Sequence, residues 1–438
     1  MFGGWGSARR SGGAYPSPVL ILFWIAVGLI AWVYAGYPLA AWAAARLRPF
    51  RPTPAGPGPA VVTIGIAAHN EARQLVARIA NVLDQEVPFA LEVIVASDGS
   101  TDGSVALVER LASDEPRIRR LDLERSGQTA AQRAIFGAAR GEIVVLTDAE
   151  TRFAPGCLAA LVAPFSDPRI GAATGRLAWL DEDRTETSRN EGAYWRYEQW
   201  VRRLESHAGW LTAVTGALLA IRVSAYREVP DHASMDHLLP LAVRDDGLRV
   251  VAVAEAVASD RTVGGLREQF RNRSRTATRG IRANLSMASR LTPWRRPSAF
   301  LAIWSHKILR WATPILAGIA GVAALALGLG GEPLYLVPVA AGLVAITLAA
   351  VGWALRARGR PPRWGSLPLA IVVVNLAFLN GWINLLLGRR IEAWHRDEWA
   401  AVPAGGAGVT STPAAEPARA GLAPPQRSQE RTITRRKP

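Results

Sequence analysis

Four stretches of this 438-residue chain run without a charged residue for as long as a bilayer-crossing helix needs: 19–45, 311–331, 333–355 and 365–388. Such a helix takes about 20 mostly apolar residues. One stretch of that kind would be out of place in a water-soluble protein, and four fix the class. The chain reads as an integral membrane protein with a large polar segment between its first and second spans. Segment 19–45 is longer than the apolar region of a secretory signal and has no clear cleavage site, so it reads as a retained anchor.

The formal net charge is +15, and all but two of the 51 basic residues are Arg; the exceptions are Lys307 and Lys437. A basic excess suits nucleic acid, acidic ligands or a membrane surface. The hydropathy selects the membrane, and no nucleic-acid partner is expected. The flank "RLRPFRP" after the first span places the polar domain on the cytoplasmic side by the positive-inside rule. That gives an inner-membrane, multi-pass protein. The single cysteine, Cys157, excludes an intramolecular disulfide and fits a reducing compartment. Four spans would put the C-terminal segment outside, yet "GRRIEAWHRDEW" and an Arg-rich tail follow the last one. The number of spans and the side of the tail stay open.

Within the polar segment the pattern alternates. "VVTIGIAA" (61–68) is a continuous apolar, β-branched run, as in a strand buried on both faces, and "LEVIVAS" (91–97), "RIRRLDL" (117–123) and "EIVVLTD" (142–148) read as further strands. Between them, 71–83, 102–111 and 128–139 carry helical spacing. Strand and helix alternating at this pitch predict right-handed crossovers and a mostly parallel sheet. Ligands of open α/β sheets sit beyond the carboxyl ends of the strands.

Those ends are acidic. Strand one is followed by His69-Asn70-Glu71, strand two by "DGSTD" (98–102), and strand four ends in Asp148-Ala149-Glu150. There is no GxxxxGK[ST] and no GxGxxG after the first strand, so neither a P-loop nor a dinucleotide fingerprint is present. Acids at one sheet edge suit a hard divalent cation and hydroxyl-rich ligands. Taken alone, "DGSTD" would serve as a turn and helix cap, and "DAE" as an acidic loop. Their joint placement at three strand ends favours a site.

In this order the motifs resemble the family 2 glycosyltransferases of GT-A fold, from about Val61 to Leu285. The closest branch is the membrane-embedded one of cellulose, hyaluronan and poly-N-acetylglucosamine synthases. The opening P-x-Y-N-E stands here as "AAHNE", "DGSTD" is intact, G-K-x-x-A-L-N stands as "GQTAAQR" (127–133), D-x-D as Asp148-Ala149-Glu150, and T-G-A as Thr215-Gly216-Ala217. The catalytic acid pair stands as Met235-Asp236.

The resemblance implies a role for each matching residue. Asn70, Glu71, Asp98, Ser100, Gln128, Thr215 and Gly216 would bind the donor. Asp148 and Glu150 would hold Mg2+ or Mn2+ against its diphosphate, and Asp236 would be the general base. The reaction implied is inverting transfer from a nucleotide sugar, a UDP-sugar in the leading reading, to a glycan or lipid-linked acceptor. Surface polysaccharide or glycolipid synthesis would use it; export partners are not named by the sequence.

The departures are specific. Gln128 replaces a Lys, Met235 replaces an acid, and the Q-x-x-R-W of polymerising synthases is absent. In its neighbourhood Arg267, Arg271, Arg275 and Arg279 are spaced by four on one helical face. Arg271, Arg275 and Arg279 are expected to contact the diphosphate or acceptor, or else to rest on anionic lipid. Segment 194–206, "YWRYEQWVRRLES", has amphipathic spacing. The resemblance sets it beside the acceptor; packing on the membrane face is the alternative. "FLAIWSHKILRW" (300–311) reads as an interfacial helix, with Trp304 and Trp311 at headgroup level.

The expected fold is therefore α/β, a GT-A domain plus about four transmembrane helices. Its expected division is tail and first span (1–45), linker (46–60), GT-A domain (61–296), interfacial helix (297–310), three spans (311–388), and an amphipathic segment with a disordered tail (389–438). Two rivals keep this fold: transfer of a single sugar to a lipid carrier, and a non-catalytic partner in a synthesis complex.

Overall fold

The computed structural model describes residues 17–389 apart from 181–185, 232, 261–264 and 359–362. The expected disordered tail therefore lies outside the described residues. The strand at the centre of the soluble domain shows why its sequence does not alternate. In β1 (Val61–Ala68) Val62, Ile64 and Ile66 are fully buried on one face, while Thr63, Gly65 and Ala67 are buried on the other. Helices α2 (Ala72–Leu83) and α3 (Ser104–Asp114) cover the first face through Leu75, Ile79, Val82 and Val108. Helix α4 (Gln128–Ala138) covers the second through Ala131, Ile135 and Phe136. Gly65 is small because Ile135 lies over it; a Cβ there would come within 2.6 Å of Ile135 Cγ2.

Strands β2 (Ala90–Asp98), β3 (Ile118–Leu123) and β4 (Ile143–Thr147) complete the parallel half around β1. The expected boundaries of these four strands are met within one or two residues. The sheet then turns mixed. Strands β5 (Arg152–Phe153), β6 (Ile170–Trp179), β7 (Leu219–Arg222) and β8 (Arg249–Asp260) extend it to eight, in the order β3-β2-β1-β4-β7-β6-β8-β5. Three pairings are antiparallel: β4 with β7, β6 with β7, and β5 with β8. Because β1, β2 and β4 run parallel, their carboxyl ends open on one edge. Helix α5 (Cys157–Val162) packs on the first face, and helix α7 (Met235–Asp245) on the second through Leu239 and Val243.

Three described helices are long and apolar enough to cross a membrane: α1 (Pro18–Leu47), α11 (Pro333–Ala357) and α12 (Trp364–Leu386). The expected span at 311–331 belongs to a bent helix pair. Its helix, α10 (Thr313–Leu329), has 17 residues and is bent by 62° from α9 (Pro297–Trp311), so it makes a span only together with that neighbour. Seventeen residues reach about 26 Å, short of the ~30 Å hydrocarbon core. The first and fourth of these helices meet through small residues: Phe23 and Ala26 of α1 pack with Ala320, Ala323 and Ala324 of α10.

Helix α9 is not a free interfacial amphipath. Its polar residues Ser305, His306 and Arg310 are buried, and Trp311 is 6% exposed. His306 and Arg310 face helix α6 (Glu186–His207) through ion pairs described below, while Ser305 Oγ accepts from the Trp32 indole N–H at 2.9 Å. The arginine-rich segment is helix α8 (Leu266–Met287). Its small face docks on α12: Asn380 donates to Ser274 Oγ at 2.5 Å, Asn384 to Thr278 Oγ1 at 3.4 Å, and a Cβ on Gly381 would lie 2.8 Å from Ala277 Cβ.

Candidate functional site

The acidic edge is assembled by short loops that satisfy their own backbone. Asn70 sits in the left-handed region at φ 58°, and its Oδ1 accepts from the Thr101 N–H at 2.8 Å. Ser100 Oγ accepts from the Asn70 N–H at 3.2 Å, so the loops after β1 and β2 are tied together. Asp98 is fully buried. Its carboxylate accepts from the N–H groups of Ser126 and Gly127, at 2.6 and 3.0 Å, and pairs with Arg125 at 3.2 Å. Asp98 thus fixes the loop that leads into α4.

Glu71, Asp148 and Glu150 gather negative charge beside these loops. Burial, then the charge of Glu150, Asp102 and Asp148, pushes the Glu71 carboxyl up to about 7. Burial, then Glu150 and Asp236, pushes Asp148 up to about 6, against the opposing pull of Arg78 and Arg275. A positive charge placed beside them would oppose both shifts by favouring the ionised carboxylates. Among the described residues no group of three or more His, Cys, Asp or Glu is placed to hold an ion. Asp148 and Glu150 are carboxylates of the type a hard cation takes, but the described residues supply no complete set of ligands here.

A cavity of about 230 Å³ opens beside Asp148, lined also by Gln128, Gly216, Asp236, His237, Arg275 and Arg279. Gln128 Nε2 lies 3.4 Å from Asp148 Oδ1. Arg279 donates to Ala233 O at 2.8 Å and so holds the turn before α7. Asp236 stands in the first turn of α7, where the helix dipole favours an anion. Ser234 Oγ and His237 Nδ1 both contact its Oδ1, the latter at 3.2 Å. Burial works against the Asp236 charge, but His237, these hydrogen bonds and Arg279 outweigh it and hold the carboxyl well below its ordinary range.

A second cavity of about 280 Å³ adjoins the first, and the two share Gly216, Asp236, His237 and Thr276. Its walls include Trp179, Tyr194, Trp195, Trp311 and Phe378. Thr215 lines it, with its N–H donating to Thr174 Oγ1 and its Oγ1 accepting from Arg202 at 3.0 and 2.7 Å. Gln128, Asp148, Gly216, Asp236, Arg275 and Arg279 thus come together around one cavity and Thr215 beside it. Asn70, Glu71, Asp98, Ser100, Glu150 and Arg271 line neither. Arg271 is exposed, while Arg275 and Arg279 further along the same face of α8 line the first cavity.

Sequence reasoning missed Arg78 as part of this neighbourhood. It is fully buried under Asp148, donates to Thr147 Oγ1 at 2.7 Å and lies 4.0 Å from the Phe153 ring centre. Burial pulls its guanidinium down to about 9. The signal was available: Arg78 occupies the apolar stripe of α2 with Leu75, Ile79 and Val82.

The family described as Glycosyl transferase family 2 matches residues 63–229, which end just before Asp236 and contain the acidic edge. The chain carries a glycosyltransferase family 2 domain over these residues. Similar proteins include an N-acetylglucosaminyltransferase of Bradyrhizobium diazoefficiens, 26% identical over 283 residues, covering 61% of this chain and 57% of that one. The succinoglycan biosynthesis protein ExoO of Rhizobium meliloti is 36% identical over 102 residues, covering 23% of this chain and 28% of that one. The chain spans under three-fifths of the length of the first three curated relatives it matches, at 57%, 58% and 57%. A solved mannosyltransferase of Pyrobaculum calidifontis, in complex with GDP-Man and Mn2+, superposes with a TM-score of 0.61 at 24% identity. The match covers 82% of this chain and 99% of that one, and it shows the fold.

Proposed function

We propose that this chain moves a glycosyl group from a nucleoside diphosphate sugar to an acceptor hydroxyl, with inversion, at the cytoplasmic face of the membrane. The observation that carries the reading is Asp236 at the junction of two cavities, one bordered by Asp148, Arg275 and Arg279 and the other walled by aromatic rings. The first suits a donor diphosphate and the second an acceptor. The leading donor is a UDP-sugar; the mannosyltransferase neighbour binds GDP-Man, so GDP-sugars belong in the test.

Asp148 and Glu150 would hold Mg2+ or Mn2+, and such an ion neutralises charge on the leaving diphosphate. Arg275 and Arg279 add fixed positive charge over the same cavity. Asp236 takes the acceptor's proton. The acceptor oxygen bonds to the anomeric carbon from the face opposite the diphosphate, whose oxygen leaves with the electron pair of the broken bond. A positioned base of this kind contributes about 10²–10⁴-fold. His237, Ser234 and Arg279 keep Asp236 ionised, so its carboxylate is in the form a general base requires.

The test is a thermal-shift screen of nucleotide sugars on the full chain, with Mn2+ and with excess chelator, followed by measurement of nucleoside diphosphate release. UDP-N-acetylglucosamine heads the panel because curated relatives are N-acetylglucosaminyltransferases. Stabilisation by one nucleotide sugar, lost in chelator, is expected. No shift with any of them would refute the donor site. Protease access in inside-out and right-side-out vesicles tests the orientation, and cleavage of the domain from outside intact cells would refute it.

A further inference from the structure

One guanidinium ties helix α6, where it is held by α9, to the wall between the two cavities. Arg202 is buried on α6; its Nε donates to Glu198 Oε1 at 3.1 Å and its Nη1 to Thr215 Oγ1 at 2.7 Å. The guanidinium is planar and rigid, so these two contacts fix the hydroxyl relative to the carboxylate. Glu198 is itself held from α9. It accepts from Lys307 at 2.8 Å, pairs with Arg310 at 2.5 Å and lies 3.1 Å from His306 Nε2. The other ring nitrogen of His306 lies 2.8 Å from Glu205, whose carboxylate also accepts from the Tyr37 hydroxyl of α1 at 2.5 Å. Buried polar contacts thus pin α6 to both α1 and α9, and Arg202 carries that anchorage to Thr215.

The segment after Thr215 is clamped from a second direction. The Thr215 N–H donates to Thr174 Oγ1 at 3.0 Å, and Thr174 Oγ1 donates to Leu218 O at 3.0 Å. Thr174 belongs to β6, so residues 215–218 are held between a strand of the sheet and the side chain of Arg202. This segment stands against Asp236, since a Cβ on Gly216 would lie 3.3 Å from Asp236 Oδ2. Arg202 and Thr215 line the second cavity and not the first, while Gly216 lines both. Loss of Arg202 would leave Glu198 with Lys307, His306 and Arg310, so the buried carboxylate stays paired and only the tie to Thr215 is cut.

We infer that Arg202 is a positioning residue of the transfer reaction, registering the Thr215–Gly216 wall beside Asp236 against α9. The inference rests on the proposed reading of Asp236 as the acceptor-side base. Arg202 touches no reacting atom; it acts through the Thr215 hydroxyl. Without that contact the wall is held from the β6 side alone and shifts relative to the carboxylate. A misplacement of about 1 Å at a reacting group costs on the order of 10²-fold. The donor cavity does not include Arg202 or Thr215, so the loss falls on turnover and not on donor binding.

The test compares Arg202→Met, Arg202→Lys, Thr215→Val, Thr215→Ser and the double variant Arg202→Met with Thr215→Val, each in the full chain in detergent. Melting temperature, Mn2+-dependent binding of UDP and GDP, and nucleoside diphosphate release from UDP-N-acetylglucosamine and GDP-mannose are read on each preparation. Arg202→Met should lower release about tenfold, as a shift of about half an ångström would, with KM for the nucleotide sugar and nucleotide binding within about twofold of wild type. Arg202→Lys should fall with it, because an ammonium lacks the planar fork that spans Glu198 and Thr215. Thr215→Val should lose as much, and Thr215→Ser, which keeps the hydroxyl, should retain most of the rate. The double variant should be no slower than the slower single one, because both changes break the same contact. Wild-type release by Arg202→Met, losses that multiply in the double variant, or nucleotide binding that falls as far as the rate overturns the positioning role. If Arg202→Met does not fold, Thr215→Val and Thr215→Ser read the same contact from the site side. A wild-type chain that binds neither nucleotide and releases neither refutes the donor reading, and this role falls with it; active wild type with unaffected variants refutes this role alone.

Discussion

Replacing Gly216 by Ala probes the site by a single methyl group. Gly216 lies between the two cavities, and its backbone is not in the left-handed region, so alanine meets no conformational strain there. A Cβ would sit 3.3 Å from Asp236 Cβ and Oδ2 and 3.4 Å from its Cγ. Optimal carbon contacts fall at about 3.5–4.0 Å, so the carboxylate must yield by a few tenths of an ångström. Asp236 can move because its side chain is 27% exposed to the cavity. Loss of backbone freedom in the unfolded chain stabilises the variant by about 0.4–1 kcal/mol, and tighter packing costs about as much. Net stability should change by less than about 1 kcal/mol. Activity should change more. A misplacement of about 1 Å costs on the order of 10²-fold, so a shift of a few tenths should lower transfer about three- to tenfold. The assay is nucleoside diphosphate release with saturating donor, beside donor affinity and melting temperature on the same preparation. Wild-type turnover in a folded Gly216→Ala protein would refute the placement of Asp236 at the reacting centre.

Three further outcomes follow from named contacts. Asp236→Asn keeps a helix-capping side chain but accepts no proton, so transfer should fall by about 10² or more with nucleotide-sugar binding intact; near-normal transfer removes Asp236 from the mechanism and makes His237 the next candidate. Glu150→Gln should weaken Mn2+-dependent binding of nucleoside diphosphate by about tenfold, measured by calorimetry; equal binding by the wild type in excess chelator would show that Asp148 and Glu150 hold no ion. Asp167 ties the linker to the domain by accepting from the Thr53 N–H at 2.8 Å, and its pairing with Arg169 holds its carboxyl at about 2, below the unfolded value. A depressed carboxyl stabilises above its unfolded pKa and loses that contribution as pH falls through the folded one. Arg169 is half exposed, so screening leaves about 1 kcal/mol. Asp167→Asn should therefore be less stable than wild type at pH 7 and equal to it near pH 2, by thermal unfolding in detergent; a difference that persists at pH 2 refutes the linkage.

Local pattern was enough for the parallel half of the domain. A strand buried on both faces needs an unbroken apolar run, and 61–68 is one; the helices after it show their stripe every three or four residues. Asp148 was legible for the same reason, since an acid that ends such a strand has nowhere to go but the sheet edge. The antiparallel pairings of β7 and β6 were not legible, because their partners are set by contacts between residues far apart in the chain. The membrane segments divide in the same way. Apolar length marked four segments, and three of them are single helices long enough to span; the fourth, 311–331, bends by 62° from α9 beside Pro314, and the size of that bend was seen only in the structure. Glu198 and Arg202 look in sequence like a surface pair four residues apart. Only the fold brings His306, Lys307 and Arg310 of a distant helix onto Glu198, and Thr215 onto Arg202. Hydropathy and strand-end acids are properties of neighbouring residues, so the sequence determined them alone. The junction of two cavities at Asp236 and the tie from Arg202 to the wall beside it are sums over separate elements, and tertiary structure decided both.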